Sequence, residues 1–433
     1  MTSNDCLKLG VAGLGTVGAS VVQIVQEQAE MLATRCGQNI QVTAVTARDK
    51  AKDRGFDMDG ITWVDTPLDL ANDPNVDVVV ELIGGEDGIA KDLVEQSLKN
   101  GKHVVTANKA LLAHHGASLF DLATDQGKAL AFEAAVAGGI PIIKAVREGL
   151  AANHFSAIYG ILNGTCNYIL TEMWQNGLDF DVALAQAQEA GYAEADPSFD
   201  IDGIDAGHKL ALLSALAFTG KTNFDNLDIE GLRNISALDI NYADELGYRI
   251  KLLGIARNTS DGVVQTVSPC MIPAHTNLAS IEGATNAVFV EGDNVGPTLH
   301  VGAGAGGAPT ASAVIADILD IARGHGAGYE AYVETEKYAP FETRLGRFYL
   351  RLIVKDQPGV MADVTAILRD HDVSLKSILQ YGHKQEESVP LVLTTHETKE
   401  CGVRNAIAEL QGLDSILEKP CCLRVELLGE NDM

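Results

Sequence analysis

The sequence of 433 residues lacks the features that mark membrane, secreted or nucleic-acid-binding proteins. Its apolar stretches are well under the roughly 18 residues that a membrane-spanning helix needs. The N-terminal MTSNDCLKLG has neither a basic n-region nor a hydrophobic h-region, so no signal peptide is expected. Only 32 Lys and Arg stand against 59 Asp and Glu, and the net charge of −27 repels nucleic acid and anionic lipid. We therefore expect neither nucleic acid nor a membrane as a partner.

The cysteines lack any CxxC pair and any His partner at zinc-site spacing. The seven are Cys6, Cys36, Cys166, Cys270, Cys401, Cys421 and Cys422. Such an odd, unpatterned set predicts reduced thiols in a cytoplasmic protein. Aromatic residues make up only 5%, whereas glycines number 43 and apolar residues reach 46%. This composition is typical of an α/β enzyme with many tight turns, and the length predicts two to four domains.

A glycine-rich turn near the N-terminus joins a predicted strand, LKLGVA, to a predicted helix that starts in VGASVVQIVQEQAEML. Gly13 permits the tight turn, Gly15 lets the backbone approach a pyrophosphate, and Gly18 lets the helix pack on the strand. The helix N-terminus adds free N–H donors for the phosphates. The GxGxxG pattern in this context predicts dinucleotide binding, and a purely structural glycine turn is the alternative.

Two cations follow later strands of the same domain. The predicted strand IQVTAVTARD ends with Arg48 and then Asp49, at the place where an acid would bind the ribose hydroxyls of NAD. An arginine there favours the extra phosphate of NADP, although an ordinary surface cation is the alternative. Lys109 follows the strand HVVT, at the edge of a parallel sheet where ligands bind. Its alternative is an exposed lysine in a turn.

The segment ALAFEAAVAGGIPIIKAV runs from a strand closed by Glu133 into the Gly138–Gly139 turn. Backbone carbonyls bent around these glycines are suitable ligands for a hard cation such as Na⁺. His114 and His115, on the preceding helix, are expected to cap or pack and not to bind a metal. Cys166, near a later helix start, is expected to pack because no partner base is visible nearby.

The stretch GYAEADPSFDIDGIDAGHK carries the strongest candidates for catalysis. Asp205 and Lys209 are four residues apart, so on a helix they share one face, and Glu194 precedes them on a loop. Together they suit the binding of a small zwitterion and the movement of a proton. A solvated loop with a surface salt bridge is the alternative. Three more acids are expected to shape the loop: Asp196, Asp200 and Asp202.

The C-terminal part of the chain contains two further patterns. GAGAGGAPTASAV places a glycine loop before a helix, either as a second ligand-binding edge or as a mobile turn. After a linker, the sequence from RFYLRLIV to CCLRVELLG reads β-α-β-β-α-β, which predicts a separate ferredoxin-like module.

The chain resembles the homoserine dehydrogenase family, in its single-function form that ends in an ACT domain. The resemblance covers nearly the whole chain and rests on GLGTVG, GILNGTCNYIL, AQEAGYAEADPSFDIDGIDAGHKL and GAGAGGAPTASAV, in that order. DQPGVMADV resembles, more loosely, the ligand-binding turn of ACT domains. The implied fold class is α/β: a Rossmann NAD(P)-binding domain over 1–135, an α+β catalytic and dimerisation domain over 136–335, a linker over 336–347, and a ferredoxin-like ACT domain over 348–428.

The resemblance implies that L-homoserine and NAD(P)⁺ interconvert with L-aspartate 4-semialdehyde and NAD(P)H, a step toward threonine, isoleucine and methionine. Lys209 takes the family's acid/base position, Asp205 its partner position, and Glu194 the position that grips the substrate. Lys109 matches the lysine at the junction of cofactor and substrate. The family's monovalent cation site corresponds to Glu133, Val136, Gly138 and Ile140. Its cofactor contacts correspond to Thr16, Val17, Arg48, Gly191 and the loop at Gly306, besides the fingerprint glycines.

The C-terminal module is, by the same resemblance, an amino-acid sensor with threonine as the expected inhibitor. Asp356, Pro358 and Gly359 shape a turn whose following helix N-terminus can receive a carboxylate. An assembly domain that has lost its ligand is the alternative. A homodimer, or a tetramer through these modules, is expected.

Two other classes of function remain open at this stage. One is a different Rossmann oxidoreductase of amino-acid metabolism, such as an aspartate-semialdehyde dehydrogenase, which needs a catalytic cysteine that the sequence does not convincingly supply. The other is a non-catalytic regulator that holds NADP, against which the set Glu194, Asp205 and Lys209 argues.

Overall fold

The structure is a computed structural model that describes residues 6–325, 337–340, 344–380 and 388–429. The strands are β1 Cys6–Ala12, β2 Asn39–Thr46, β3 Thr62–Trp63, β4 Val78–Glu81, β5 His103–Thr106, β6 Leu130–Ala131, β7 Phe155–Ile161, β8 Asp228–Ile229, β9 Tyr248–Thr259, β10 Gly262–Pro273, β11 Thr285–Gly292, β12 Gly296–Ala303, β13 Leu345–Lys355, β14 Leu375–Gln380, β15 Ser388–Thr395, β16 Thr398–Lys399 and β17 Cys421–Val425.

The α-helices are α1 Thr16–Glu27, α2 Ala29–Cys36, α3 Pro67–Asn72, α4 Ile89–Lys99, α5 Lys109–Asp125, α6 Ile142–Lys144, α7 Gly164–Asn176, α8 Phe180–Glu189, α9 Ser198–Ile201, α10 Ile204–Ser214, α11 Ala237–Glu245, α12 Gly307–Ala322, α13 Val360–Asp370 and α14 Glu400–Leu410. Short 3₁₀ turns cover Glu133–Ala135 and Phe224–Asn226, and π-helical turns cover Ala145–Gly149 and Ala215–Thr219. In the described part of the chain, no helix combines the length and the apolar character needed to cross a membrane.

The chain forms two compact units, each built from three segments. Unit 1 comprises Met1–Ile158, His208–Asp225 and Asn286–Glu336, and unit 2 comprises Tyr159–Gly207, Asn226–Thr285 and Lys337–Met433.

Unit 1 is built on a six-stranded sheet of order β3-β2-β1-β4-β5-β6 in which all pairs are parallel. Strand β4 is buried along its whole length, which explains its uninterrupted apolar sequence. The direction of the strand order reverses between β1 and β4, and ligands bind at the carboxyl ends of the strands beside such a reversal. The predicted Rossmann fold is confirmed.

The periodicity after the glycine turn predicts one long helix, and the structure divides it in two. Gln28, with φ −114° and ψ 19°, leaves the helical region between α1 and α2. This bend brings Leu32 of α2 into the same buried cluster as Val21 and Val25 of α1, and residues of α12 complete that cluster. Packing against the sheet therefore overrides the local helical pattern.

Unit 2 contains a sheet of order β9-β10-β17-β13-β15-β14. β9 and β10 form an antiparallel hairpin, and β10 also pairs in parallel with β17. The remaining neighbours are antiparallel, and the elements from β13 to β17 follow the predicted β-α-β-β-α-β order, with α13 and α14 as the helices. The predicted ferredoxin-like arrangement is confirmed, and its sheet continues into the β9–β10 hairpin.

The linker predicted over 336–347 lies partly outside the described residues, since 336 and 341–343 are not among them. Within it, Tyr338 forms a parallel bridge with Val263, next to β9 and β10. Strand β13 begins at Leu345.

A buried ion pair joins the C-terminal module to helix α11. Arg351 of β13 donates from Nε to Asp239 Oδ1 over 2.7 Å and from Nη2 to Oδ2 over 3.1 Å. Asp239 has no exposed surface, and it also accepts a hydrogen bond from the Tyr349 hydroxyl. The pair attaches the module to α11. Removing either partner would leave an uncompensated buried charge, which is strongly destabilising.

Candidate active site

The glycine turn of unit 1 has the geometry of a phosphate-binding edge. Gly13 has φ +95°, and a Cβ on it would overlap the Leu82 carbonyl. A Cβ on Gly18 would overlap the Gly13 carbonyl, so both positions require glycine for packing. At Gly15 no described atom lies within 4 Å of the Cβ position. Of the three glycines, only Gly15 has open space at its Cβ position, which is where the backbone is expected to approach a pyrophosphate.

Helix α1 opens with Thr16 and Val17 directly beside this space. Its N-cap is Gly15, which has no side chain to accept the first N–H groups of the helix. These donors and the helix dipole are therefore available to an anion. The loop at Gly306 belongs to the same edge, because a Cβ on Gly307 would lie 3.0 Å from Thr16 Cγ2. Gly306, with φ +126°, turns the chain into α12 at this point.

Glu81 and Thr106 organise the neighbouring strand ends, and the sequence analysis missed both. Glu81 ends β4 with no exposed surface; its Oε1 accepts from the backbone N–H groups of Ile83 and Gly84 at 2.7 and 3.2 Å. Its Oε2 accepts from Thr106 Oγ1 at 2.6 Å. The acid at the end of the apolar run VVVE is the sequence feature that could have indicated Glu81.

Lys109 is the first residue of α5, as its predicted position after β5 requires. Asn108 caps the helix by accepting from the Leu111 N–H at 3.1 Å. Its Nδ2 donates to the Gly85 carbonyl at 2.7 Å, which ties the start of α5 to the loop after β4. The half-buried Lys109 is thus held at the ligand-binding edge of the sheet.

Arg48 lies two residues beyond β2 and is exposed. The chain after it is anchored by Arg54, which the sequence analysis did not single out. Arg54 donates from Nε to the Leu14 carbonyl at 2.9 Å and from Nη2 to the Asp49 carbonyl at 2.5 Å, and its guanidinium carbon lies 5.6 Å from the centre of the Trp63 ring. The segment that carries Arg48 is therefore attached to the glycine turn.

Glu133 is buried, and both of its carboxylate oxygens accept backbone N–H groups, from Ile143 at 2.8 Å and Lys144 at 3.0 Å. Its own N–H donates to Asp317 at 2.8 Å. Burial raises the pKa of Glu133, and burial together with Glu133 raises the pKa of Asp317 to about 7. Lys144 lies 2.5 Å from Asp320 and 3.7 Å from Asp317. Arg147 also acts on Glu133 and Asp317, and Arg323 pairs with Asp320 at 3.3 Å, so this corner of unit 1 is a network of acids and cations.

The other residues of the predicted cation site surround the turn that follows. Val136 and Ile140 are buried, and Gly138 has φ +52°. A Cβ on Gly138 would lie 2.5 Å from the Gly304 carbonyl, so the turn is closely packed against the second glycine loop. The Ile140 carbonyl accepts the Ile142 N–H at 2.8 Å. Across the described ranges, no three His, Cys, Asp or Glu side chains group as metal ligands.

The two histidines of α5 make packing and surface contacts. His114 contacts His208 and Phe224 edge-on, with ring centroids 5.3 and 5.0 Å apart. His115 Nε2 lies 2.9 Å from Asp87. These contacts agree with the predicted packing role.

In unit 2, Asn163 connects the acidic stretch to the start of α7. Its Oδ1 caps the helix by accepting the Cys166 N–H at 2.8 Å. Its Nδ2 donates to Asp200 Oδ1 at 2.8 Å and to Asp205 Oδ2 at 2.9 Å. All three polar positions of this 5%-exposed amide are used, so its orientation is fixed. The sequence analysis used GILNGTCNYIL only as part of the family resemblance, and the role of Asn163 in holding Asp205 was missed.

Asp205 and Lys209 both lie on α10, one turn apart, and the two residues are 6% and 8% exposed. Their burial contradicts the alternative of a surface salt bridge. The helix begins at Ile204, one residue before Asp205. Glu194 is exposed on the loop before α9, and its carbonyl accepts from Gln188 Nε2 at 3.0 Å.

The other acids of this stretch shape the loop as predicted. Asp196 accepts the Ser198 N–H at 3.1 Å, and Asp202 pairs with Arg233 at 2.5 Å. Asp200 accepts from Thr165 Oγ1 at 3.1 Å in addition to Asn163. Gly191, with φ +77°, ends the turn after α8, where a left-handed residue is required. Buried Cys166 donates its thiol to the Asp200 carbonyl at 3.2 Å, which agrees with a packing role.

Comparison with known proteins connects these features to one family. Family models match residues 13–133 as the homoserine dehydrogenase NAD-binding domain, 141–319 as homoserine dehydrogenase, and 348–414 as an ACT domain. A homoserine dehydrogenase of Neisseria gonorrhoeae is 45% identical over 98% of this chain and 99% of its own length.

Solved structures agree. A homoserine dehydrogenase of Thiobacillus denitrificans matches with a TM-score of 0.91 and 45% identity, over 98% of this chain and 99% of that one. A hyperthermophilic archaeal homoserine dehydrogenase, in complex with NADPH, matches with a TM-score of 0.63 and 26% identity, over 73% of this chain and 97% of that one. The chain therefore belongs to the homoserine dehydrogenase family of oxidoreductases, with an NAD-binding domain and a C-terminal ACT domain.

Proposed function

We propose that the protein interconverts L-homoserine and L-aspartate 4-semialdehyde in the route to threonine, isoleucine and methionine, and that the residues on α10 carry the proton transfer. The observation that supports this most strongly is Asp205, buried and held by Asn163, one turn before buried Lys209. A nicotinamide cofactor held at the glycine turn would supply or take up the hydride. Absorbance at the nicotinamide band, with L-homoserine and NADP⁺ supplied, tests the activity: no rise in absorbance would refute it.

The roles of the side chains follow from the charges that the reaction creates. Reduction of an aldehyde builds negative charge on its oxygen, which a positioned ammonium group stabilises and protonates. We assign this role to Lys209, and Asp205 orients it or a water molecule. Glu194 holds the substrate ammonium by a charge-assisted bond. Lys109, at the ligand-binding edge of unit 1, supplies a second cation near the reacting atoms.

For the cofactor we favour NADP over NAD. Exposed Arg48, just past β2, suits the extra phosphate, and the archaeal relative was solved with NADPH. The pyrophosphate is assigned to Gly13, Gly15, Thr16, Val17 and Gly18, with Gly191 and Gly306 as further contacts. Arg48→Gln should raise KM for NADP⁺ at least about tenfold, the loss of one charge-assisted contact, and leave KM for NAD⁺ unchanged. Arg35→Gln, an exposed arginine on α2, is the control, and equal effects on both cofactors would contradict the assignment.

We also propose a monovalent cation such as Na⁺ at Glu133, Val136, Gly138 and Ile140. The donor set fits, because a buried carboxylate and tightly turned backbone provide hard oxygen ligands. The negative charge of the surrounding carboxylates is already opposed by Lys144, Arg147 and Arg323, so the donor set alone supports the site. Replacing Na⁺ by tetramethylammonium at constant ionic strength should lower the melting temperature, and an unchanged melting curve would contradict the site.

We assign amino-acid sensing to the C-terminal module, with threonine as the inhibitor. Helix α13 begins after Gly359, and Asp356 and Pro358 form the exposed turn before it. Deletion of the module is a poor test because β17 pairs with β10. Asp356→Asn should instead weaken threonine inhibition, while Asp370→Asn, at the far end of α13, should not. Unchanged inhibition in both variants would contradict the turn as the site.

Assembly and location complete the proposal. We infer a homodimer, with a tetramer through the C-terminal modules as the larger form, in the cytoplasm. All seven cysteines are free thiols, which supports a reducing compartment. The domain limits 1–135, 136–335, 336–347 and 348–428 are kept as proposed functional boundaries.

A further inference from the structure

A cavity of about 370 Å³ lies within unit 2, between α14 and β17 of the C-terminal module and the segment from Asp228 to Ile235. Its volume is near the lower end of the roughly 300–1,000 Å³ that small-ligand sites occupy. Neither the acidic stretch before Lys209 nor the turn at Asp356 contributes to its walls. The cavity is thus separate from both sites proposed above.

One part of the cavity wall is apolar. Ile229, Ile235, Ile407 and Leu423 line it, and Ile235 and Leu423 are only 3% and 2% exposed. A short apolar group that enters the cavity would be removed from water against this surface, which is favourable at about 25 cal/mol per Å².

A second part of the wall consists of ion pairs that connect the elements around the cavity. Arg424 donates to Glu400 from Nη2 at 2.6 Å and from Nε at 3.2 Å, and both side chains are buried. Arg404, on α14, donates from Nη2 to Asp228, on β8, over 2.9 Å. The walls thus come from elements that are tied to each other, which favours a preformed site.

Two oppositely charged residues line the cavity where it meets solvent. The Glu230 side chain is 41% exposed, with its carboxylate 3.9 Å from Arg424 Nη1. Lys419 is exposed and also lines the cavity. Burial of part of the Glu230 carboxyl raises its pKa, and the charges of Arg424 and Lys419 oppose that rise. Glu230 therefore gains from any further positive group placed beside it.

The charges that line the cavity are balanced. Three acidic and three basic side chains contribute: Asp228, Glu230, Glu400, Arg404, Lys419 and Arg424. A simple anion or a simple cation would meet like charges on entry, whereas a molecule that carries one charge of each sign matches the walls.

We propose that this cavity binds a small α-amino acid as its zwitterion. Glu230 receives the ammonium group, Lys419 receives the carboxylate, and the apolar wall receives a short uncharged side chain. The inference goes beyond the sensing turn at Asp356, because it places an amino-acid site on the opposite helix of the C-terminal module. A ligand here would bridge α14 and the segment after β8, which Arg404 and Asp228 already connect.

The proposal is tested by calorimetric titration of the full-length chain with L-valine and L-threonine. N-acetyl-L-valine lacks the ammonium group and L-valinamide lacks the carboxylate, so each should bind at least about tenfold more weakly than L-valine. Glu230→Gln and Lys419→Gln should each weaken L-valine binding by a similar factor. Both residues are partly or fully exposed, so the fold should be kept. Glu397→Gln and Lys399→Gln change the same charges at exposed positions outside the cavity and should leave binding unchanged.

Several results would overturn the proposal. They are the absence of binding by both amino acids, equal binding of L-valinamide and L-valine, and binding that Asp356→Asn abolishes but Glu230→Gln does not. The titration is independent of the proposed reaction. An unreactive wild-type chain would refute the dehydrogenase function without changing the binding result.

Discussion

The orientation of Asp205 by Asn163 gives the sharpest prediction outside the charged residues themselves. Asn163→Asp keeps an oxygen that can accept the Cys166 N–H but removes both Nδ2 donors. The new carboxylate then lies within 3 Å of the carboxylates of Asp200 and Asp205, and the amide donors that had bonded to both are gone. A bond to a charged group contributes about 1.5–3 kcal/mol, and about 1.4 kcal/mol changes a rate tenfold. We therefore expect kcat for L-homoserine oxidation to fall about 10- to 100-fold.

The pH profile separates this positioning role from a loss of stability. Like charges raise each other's pKa, so the acidic limb of kcat should move up by about one pH unit or more in Asn163→Asp. Ser236→Ala removes the cap of α11, where Ser236 Oγ accepts the Asp239 N–H, and provides a control that loses stability without a change beside Asp205. It should reduce the melting temperature without moving the pH profile. A folded Asn163→Asp enzyme with kcat within twofold of wild type and an unmoved profile would refute the reasoning.

Three further predictions concern stability and cofactor binding. Burial lowers the pKa of Lys251 to about 8, so between pH 8 and about 10.5 the unfolded chain binds a proton that the folded chain does not. The unfolding free energy of wild type should therefore rise across that range by about 3 kcal/mol relative to Lys251→Met. Parallel pH curves for the two proteins would contradict this. Gly18→Ala should destabilise the fold by about 1–3 kcal/mol, because its Cβ would overlap the Gly13 carbonyl. Gly15→Ala should change stability by less than about 0.5 kcal/mol but weaken NADP⁺ binding at least about tenfold. Equal effects of the two variants on the melting temperature would refute the distinction. Arg351→Met should cost about 3–5 kcal/mol in urea unfolding because it strands Asp239, and a loss below about 1 kcal/mol would show that the pair is dispensable.

Much of the fold could be predicted from local patterns. The GxGxxG turn needs only neighbouring residues, and the structure places Gly13 and Gly18 in the contacts that require glycine. The C-terminal module was recognisable because its elements follow in β-α-β-β-α-β order, and the apolar residues of α13 recur at helical spacing, with Val360, Val364, Ile367 and Leu368 buried. By contrast, β10 is buried along nearly its whole length, so it lacks the alternation that reveals a strand. The β9–β10 hairpin therefore gave only weak local signals.

Residues of the candidate site could be predicted only where they lie close together in the sequence. Asp205 and Lys209 share a helix, so their spacing alone pointed to them. Asn163 is 42 residues from Asp205, and Glu81 is 25 residues from Thr106. Such partners meet only through the tertiary fold, and no spacing rule connects them. The same holds for Arg351 and Asp239, which are 112 residues apart.

The most direct test of the central claim is the turnover of Lys209→Ala with NADP⁺ binding measured in parallel. If Lys209 is the acid/base group, kcat for L-homoserine oxidation should fall at least about a hundredfold while the affinity for NADP⁺ stays within about twofold. A folded Lys209→Ala protein with near-normal turnover would contradict the account.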